Sequence, residues 1–360
     1  MIDLDAPDLQ CAYLPFEKYD ESSGRSQHKL LGAVYFSSVP NQAAAAPADA
    51  AFAHVPMPTL EMAGGLGSTC EVWRADGEFH YGRHNELRFG HNQDVLFGVV
   101  QLSEAAFDAN HRAHGQTTPL QLAAESAYQA IFDLTDKLKF PNILRFWNYL
   151  PDINGKSHQL ERYRQFNAGR QDGFLERGRT VIGSAVPAAS AVGCGAGPLT
   201  VCFLAGRGRM PAAIENPRQV SAYHYPSDYG PRSPTFSRAS VARVGNDDVL
   251  FISGTASIVG HRTLHPGDVV AQTRETIANL SALVAEANRV APWARFAPGD
   301  LCCKVYVRHE KDVIAVHDEL RRGLGESARL VFLRADICRP DLLMEVEATA
   351  SHPFSVAPCG

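Results

Sequence analysis

Near the C-terminal end, the stretch LLMEVEATA carries two glutamates, Glu345 and Glu347, with one residue between them. In a strand this spacing puts both carboxylates on one face with Leu343, while Met344, Val346 and Ala348 take the other. Like carboxylates side by side raise one another's proton affinity, so one of them could hold a proton at neutral pH and donate it. The same pattern also suits a solvated strand face. Cys338 stands seven residues before Glu345; taken alone, it is equally well a small buried apolar residue. Cations are offered by ERYRQFNAGR, where Arg162 and Arg170 are eight residues apart and flank Tyr163. The spacing reads as two helical turns and a little more, with both guanidinium groups facing one way. Arginine suits bidentate carboxylate binding, although a solvated helix face would look the same. A second group lies in Asn216–Ser240, which is rich in Pro, Ser, Tyr and Arg. Tyr223, Tyr225 and Arg238 are its candidates, read as a linker folded over a site. Gly254 and Thr255 join the list because glycine lets a ligand approach the backbone closely.

Metal and nucleotide chemistry are not signalled. The eight cysteines form no Cys-x-x-Cys pair, and no histidine stands at zinc-finger spacing from them. Gly206-Arg207-Gly208-Arg209 lacks the helix-opening pattern of a phosphate loop. No cofactor and no metal are expected.

These residues must be positioned by regular elements. Strands are expected at Val95–Leu102, Ile143–Tyr149, Val181–Ala185 and Leu199–Leu204, with helices over Pro119–Leu138 and Gln159–Arg177. The same order returns later: strand Val249–Ser253, helix Pro266–Asn288, strand Asp300–Val307, helix Asp312–Leu324, then a hairpin of Arg329–Ile337 and Leu342–Ala350 about Pro340. Both halves therefore read β-α-β-α-β-β, which suggests duplication of one α+β unit. Leu199–Leu204 occupies the place of Leu342–Ala350 but has no carboxylate. One active site per chain follows, with the acid from the C-terminal half and cations from the N-terminal half. The Ala/Pro-rich Ala43–Ala53 reads as a surface loop.

The 360 residues are 45% hydrophobic and 20% charged, which fits a globular chain of two domains. The expected division is residues 1–215, an ordered linker 216–240, and 241–360. A net charge of −5 does not favour a nucleic-acid partner. The uncharged stretch Thr180–Gly206 is broken by Pro187, Pro198 and several glycines, so it reads as strands and a loop, not a membrane span. The acidic start MIDLDAPDLQ lacks a signal-peptide pattern, and free thiols suit a reducing cytoplasm. Monomer and homo-oligomer are both compatible with the sequence.

The C-terminal segments FISGTASIVGHRTLHPGDVVAQTRETIANLSALVAEA, DLCCKVYVRHEKD and ARLVFLRADICRPDLLMEVEATA resemble the Rid (YjgF-like) fold in their order of parts. That fold implies a pseudo-oligomeric chain of two Rid-like units. Rid proteins that hydrolyse imines use an Arg and a Glu, which would fall near Arg329 and at Glu345. A wider resemblance rests on RFWNYLPDIN (Arg145–Asn154), ERYRQFNAGR (Glu161–Arg170), the Tyr/Arg linker, SGTASI (Ser253–Ile258) and CRPDLLMEVE (Cys338–Glu347). Together these resemble the chorismatase family, whose members release pyruvate from chorismate.

The resemblance implies Glu345 as general acid. It also implies Cys338 in the site, because the branches that form 3-hydroxybenzoate, alone or with 4-hydroxybenzoate, carry a Cys at this spacing. Arg162, Tyr163, Arg170, Tyr223, Tyr225, Arg238, Gly254 and Thr255 would bind the dicarboxylate. The competing readings are a chorismate hydrolase giving a dihydroxycyclohexadiene acid, a Rid-type imine deaminase, and a non-catalytic metabolite binder.

Overall fold

The computed structural model describes residues 8–15, 30–38, 51–108 and 117–353. Its four helices of ten or more residues among these are α1 (Pro119–Leu138), α2 (Arg162–Glu176), α3 (Val269–Val290) and α4 (Val313–Leu324). Local chemistry sets their ends. The Thr118 side chain accepts from the Gln121 backbone N–H at 3.2 Å, with Pro119 in the first turn, and Lys139 closes α1 in the left-handed region at φ 62°. Asp268 likewise accepts from the Ala271 N–H at 3.0 Å to start α3.

Duplication is visible in the topology. The first unit runs Leu87–His91, Val95–Leu102, α1, Asn142–Pro151, α2, Ala188–Cys194, Leu199–Gly206. The second runs Ala239–Val244, Asp247–Thr255, α3, Cys302–Val307, α4, Arg329–Arg334, Met344–Pro353. In each sheet these strands lie in the order first, second, fifth, third, fourth, with only the third and fourth parallel. His80–His84 extends the first sheet to six strands, and Ala212–Ile214 with the Thr59–Leu60 and Leu66–Gly67 hairpin extends the second to eight. A third, four-stranded sheet has the order Leu9–Leu14, Thr69–Ala75, Leu30–Ser37, Phe52–Pro56.

Several expectations need correction. Each unit has one more leading strand than the β-α-β-α-β-β reading. Arg329–Arg334 and Met344–Pro353 form no hairpin, because Cys302–Val307 lies between them, parallel to the former and antiparallel to the latter. The parallel pairing is what the α4 crossover produces. Residues 181–185 are turns, and the strand is Ala188–Cys194 instead. The loop expected over Ala43–Ala53 lies outside the described residues up to position 50, and Phe52 opens a strand. Bends and two short 3-10 turns, Ala222–His224 and Ser227–Tyr229, occupy much of the Asn216–Ser240 segment.

Helices cover one face of each large sheet: α1 and α2 the first, α3 and α4 the second. The other faces meet the four-stranded sheet around a central core that includes Trp73, Trp147, Tyr149, Phe251 and Tyr306. Each fully buried large apolar side chain there contributes roughly 1.5–3 kcal/mol. The helix α2 lies so tightly on α1 that a Cβ at Gly169 would come within 2.0 Å of the Gln121 carbonyl oxygen. This close seating, together with Gly173 one turn on, drives the middle of a polar helix into the interior and buries Arg170.

Candidate active site

The Met344–Pro353 strand alternates as its sequence dictates. Met344, Val346, Ala348 and Ala350 face α3 and α4, so Glu345 and Glu347 point to the centre, where they are 4% and 3% exposed. Strand neighbours extend that pattern. Lys304 pairs with Glu347 and Tyr306 with Glu345 on the adjacent Cys302–Val307 strand. Across the register shift between Ile252 and Thr255, Gly254 lies so close to Glu345 that a Cβ there would sit 2.2 Å from the Glu345 Oε1. Ser253 fastens this strand to the first unit: its hydroxyl donates to the Ser237 carbonyl at 2.6 Å and accepts from the Ala189 N–H at 3.0 Å.

Glu345 opens onto a cavity of about 650 Å³ between the two units, a size suited to a small metabolite. The first unit supplies Tyr163 and Arg170 from α2 and Ala189–Ala191 from its fourth strand; the linker supplies Tyr225, Tyr229, Phe236 and Arg238. The second unit adds Gly254, Cys338, Arg339 and Glu345. Cys338 lies in the bend between strands, and that bend is held firmly. Arg308 donates to the carbonyls of Arg339 and Leu342, each at 2.9 Å, and Gln272 of α3 accepts from the Leu343 N–H and donates to the Asp341 carbonyl, each at 2.8 Å.

The electrostatics separate the two glutamates. Burial, reinforced by the Glu347 carboxylate, pushes Glu345 up to about 8, with Arg145 and Arg238 opposing. Burial would also raise Glu347, but Lys304 and Arg145 outweigh it and hold that carboxyl below its ordinary range. Burial and the neighbouring Glu345 push the Cys338 thiol up to about 12, so it is a neutral thiol at physiological pH. A protonated carboxyl, a neutral thiol and several cations thus share one cavity, an arrangement suited to protonating an anionic substrate.

The cations have free donor capacity. Arg170 is 1% exposed, lies over the Phe166 ring, and donates from Nη2 to Asn167 at 2.8 Å, leaving Nε without a partner among the described residues. Arg238 donates from Nη2 to the Tyr225 hydroxyl and the Val220 carbonyl, each at 2.7 Å, and its Nε is also unmatched. Arg339 stacks 4.2 Å over the Tyr229 ring, donates from Nη1 to the His261 carbonyl at 2.9 Å, and keeps a buried, unmatched Nη2. Buried donors left unpaired are costly, and a bound carboxylate would satisfy them.

Of the residues singled out in the sequence, Glu345, Cys338, Tyr163, Arg170, Tyr225, Arg238 and Gly254 come together at the cavity. Arg162, Tyr223 and Thr255 are not among its lining. Eight residues advance a helix by two turns plus about 80°, so Arg162 diverges from Arg170; it pairs with Glu104 and donates to the Pro151 carbonyl at 2.9 Å. Tyr223 turns to Glu215 and to the His224 ring. Thr255 pairs with Val346, whose side chain faces the helices, and its hydroxyl donates to the Ser253 carbonyl at 2.8 Å. Arg329 is exposed at the far end of its strand, level with Cys302 and not with Tyr306, the residue that faces Glu345.

The sequence reading missed Arg339, although it stands directly after Cys338 in the quoted CRPD, and of the linker tyrosines it chose Tyr223 over Tyr229. It also missed the partners of Glu347. The available signal was Lys304, a lone lysine inside the apolar strand CCKVYV. Among the described residues no three His, Cys, Asp or Glu side chains gather as metal ligands, and no helix is long and apolar enough to cross a membrane.

Comparison with known proteins agrees with this architecture. Residues 71–205 match the family described as chorismatase FkbO/Hyg5-like, N-terminal. The chain is 35% identical over 285 residues to the 3-hydroxybenzoate synthase of Streptomyces hygroscopicus, covering 77% of this chain and 80% of that protein. It is 36% identical over 290 residues to a chorismatase of Streptomyces rapamycinicus, covering 79% and 83%. A chorismatase crystal structure superposes with a TM-score of 0.80 at 30% identity, over 97% of this chain and 100% of that one. With its paired units and with relatives of this coverage and identity, the chain belongs to the chorismatase family.

Proposed function

We propose that the protein cleaves chorismate to pyruvate and 3-hydroxybenzoate. The observation that carries the reading is Glu345: a buried carboxyl, raised to about 8 and making no ion pair among the described residues, at the wall of a cavity that also holds Cys338 and three arginines with unmatched donors. Chorismate is a dicarboxylate with an enol ether. Breaking that ether requires a proton on its terminal methylene carbon, and a carboxylic acid kept neutral at physiological pH is a suitable donor. Arg170, Arg238 and Arg339 bind the two carboxylates of the substrate.

Protonation of the methylene carbon by Glu345 makes the enolpyruvyl group a leaving group. The neighbouring ring hydroxyl displaces it, forming an arene oxide, and returns its proton to the Glu345 carboxylate as pyruvate departs. Reopening of the arene oxide gives the aromatic acid. The atoms of chorismate equal those of pyruvate plus hydroxybenzoate, so neither water nor an oxidant is consumed. Water must therefore be kept from the ring. Cys338, small, neutral and weakly hydrated, lines the cavity that the ring would occupy. The deciding assay is incubation with chorismate alone, counting pyruvate enzymatically and resolving the organic products by chromatography. A dihydroxycyclohexadiene acid as sole product would assign hydrolysis instead, and no pyruvate at all would remove the proposal.

A further inference from the structure

One buried charged group takes no part in that reaction scheme. Where the three sheets meet, the four-stranded sheet contributes Glu71, the first unit Arg145, and the second unit Lys304 and Glu347, all at most 3% exposed. Lys304 Nζ forms ion pairs with Glu71 at 2.5 Å and Glu347 at 2.8 Å, and donates to the Tyr149 hydroxyl at 3.0 Å. Arg145 donates to the other Glu347 oxygen at 2.9 Å. Two cations and two anions balance, yet such a cluster is no natural aid to folding. Desolvating each ion costs several kcal/mol, and well-packed apolar residues of the same volume often serve stability as well or better.

Its placement relative to Glu345 suggests another role. Glu347 is two residues along the same strand face, and both of its oxygens are held by cations. Glu345 makes no ion pair among the described residues. The groups that face Glu345 are Glu347 on its own strand, Tyr306 opposite, Arg145 from the first unit, Arg238 from the linker, Cys338 from the bend and Tyr163 from α2. Of these, Glu347 is the one anion. We infer that the Glu71–Lys304–Glu347–Arg145 cluster is a positioning device for the cleavage reaction, fixing Glu347 as a permanent anion beside Glu345 so that Glu345 carries the proton. The inference rests on the reading of Glu345 as the acid. Glu71, from the four-stranded sheet, balances the charge of Lys304 and is not among the groups that face Glu345.

The test reads protonation directly, by pH-dependent difference infrared spectroscopy of carboxyl groups, beside the pH profile of kcat/KM with chorismate. The wild-type protein should show a protonated-carboxyl component at neutral pH that is lost in Glu345→Gln. Glu125, raised to about 7, adds its own component near neutral pH; a wild-type band that loses no component in Glu345→Gln would overturn the inference without requiring any variant of the cluster to fold. In Glu347→Gln the Glu345 band should titrate at least about one pH unit lower. The alkaline limb of kcat/KM should move with it, and activity should recover at acid pH. Glu347→Asp, which keeps the anion, should restore the wild-type titration. Glu71→Gln makes the same substitution at the far end of the cluster and should move the limb much less. Equal shifts from Glu71→Gln and Glu347→Gln would mean a general loosening of the core and would refute the role given to Glu347. Near-normal turnover by Glu345→Gln would instead remove Glu345 as acid, a failure of the proposed function that the infrared result would not share.

Discussion

Glu345→Gln should abolish most activity and, relative to the wild type, make the fold progressively more resistant to unfolding as the pH rises from about 4.5 to about 8. The sign follows from linkage. The Glu345 carboxyl rises from its ordinary 4.5 to about 8 in the folded protein. Below about 4.5 both states are protonated and Glu345 adds no pH dependence. Between about 4.5 and 8 the unfolded chain releases this proton and the folded chain keeps it, so rising pH favours unfolding. Above about 8 both states are ionised and the penalty is constant. The interval spans about 3.5 pH units at about 1.4 kcal/mol each, a ceiling near 5 kcal/mol. Glutamine does not titrate, so the variant lacks this term. An imperfectly hydrogen-bonded amide adds a constant cost of about 1–3 kcal/mol, and a constant cannot mimic a slope. Urea unfolding of both proteins from about pH 5 to pH 9 measures the difference. The variant should gain steadily on the wild type up to about pH 8 and then hold level. A difference that stays flat over that range would refute the claim that Glu345 is buried as the neutral acid. Turnover by the variant should fall by about 10²–10⁴ if the residue is a positioned proton donor, and wild-type kcat/KM should decline above about pH 8 as the carboxyl ionises.

The other predictions concern the walls of the cavity. Arg170→Ala should weaken chorismate binding by about 1.5–3 kcal/mol, the value of a charge-assisted hydrogen bond, whereas Arg162→Ala should leave KM unchanged; equal effects in steady-state kinetics would contradict the divergence of these side chains. Cys338→Ala should keep pyruvate release but shift the organic product, towards the diene acid as water enters or towards 4-hydroxybenzoate. An unchanged ratio of 3-hydroxybenzoate to pyruvate would make Cys338 a packing residue only. Gly254→Ala should displace the Glu345 carboxyl and lower kcat by about 10², because the added methyl would lie 2.2 Å from Oε1; wild-type turnover by a folded variant would show that the strand can yield there.

Much of this protein was legible without coordinates. Alternation in LLMEVE placed Glu345 and Glu347 on one face, because the side-chain period of a strand is two whatever it packs against. Apolar stripes located α1 and α3, all four helices were expected within three residues of their ends, and the repeated order suggested the duplication. The lack of a carboxylate in Leu199–Gly206 followed from the letters alone. What the sequence could not decide were contacts between residues far apart in the chain. The hairpin expected about Pro340 is absent because α4 returns its strand parallel to Cys302–Val307, a choice made by sheet pairing and not by the turn. Arg162 and Arg170 look alike in ERYRQFNAGR, and only the close seating of α2 on α1 at Gly169 selects which one is buried. Glu345 and Glu347 are likewise equivalent as a pattern. The difference between acid and anion comes from Lys304 and Arg145, which lie 43 and 202 residues from Glu347 and reach it only where the sheets converge. Local periodicity fixes which way a side chain points; its charge state depends on what the rest of the chain brings against it.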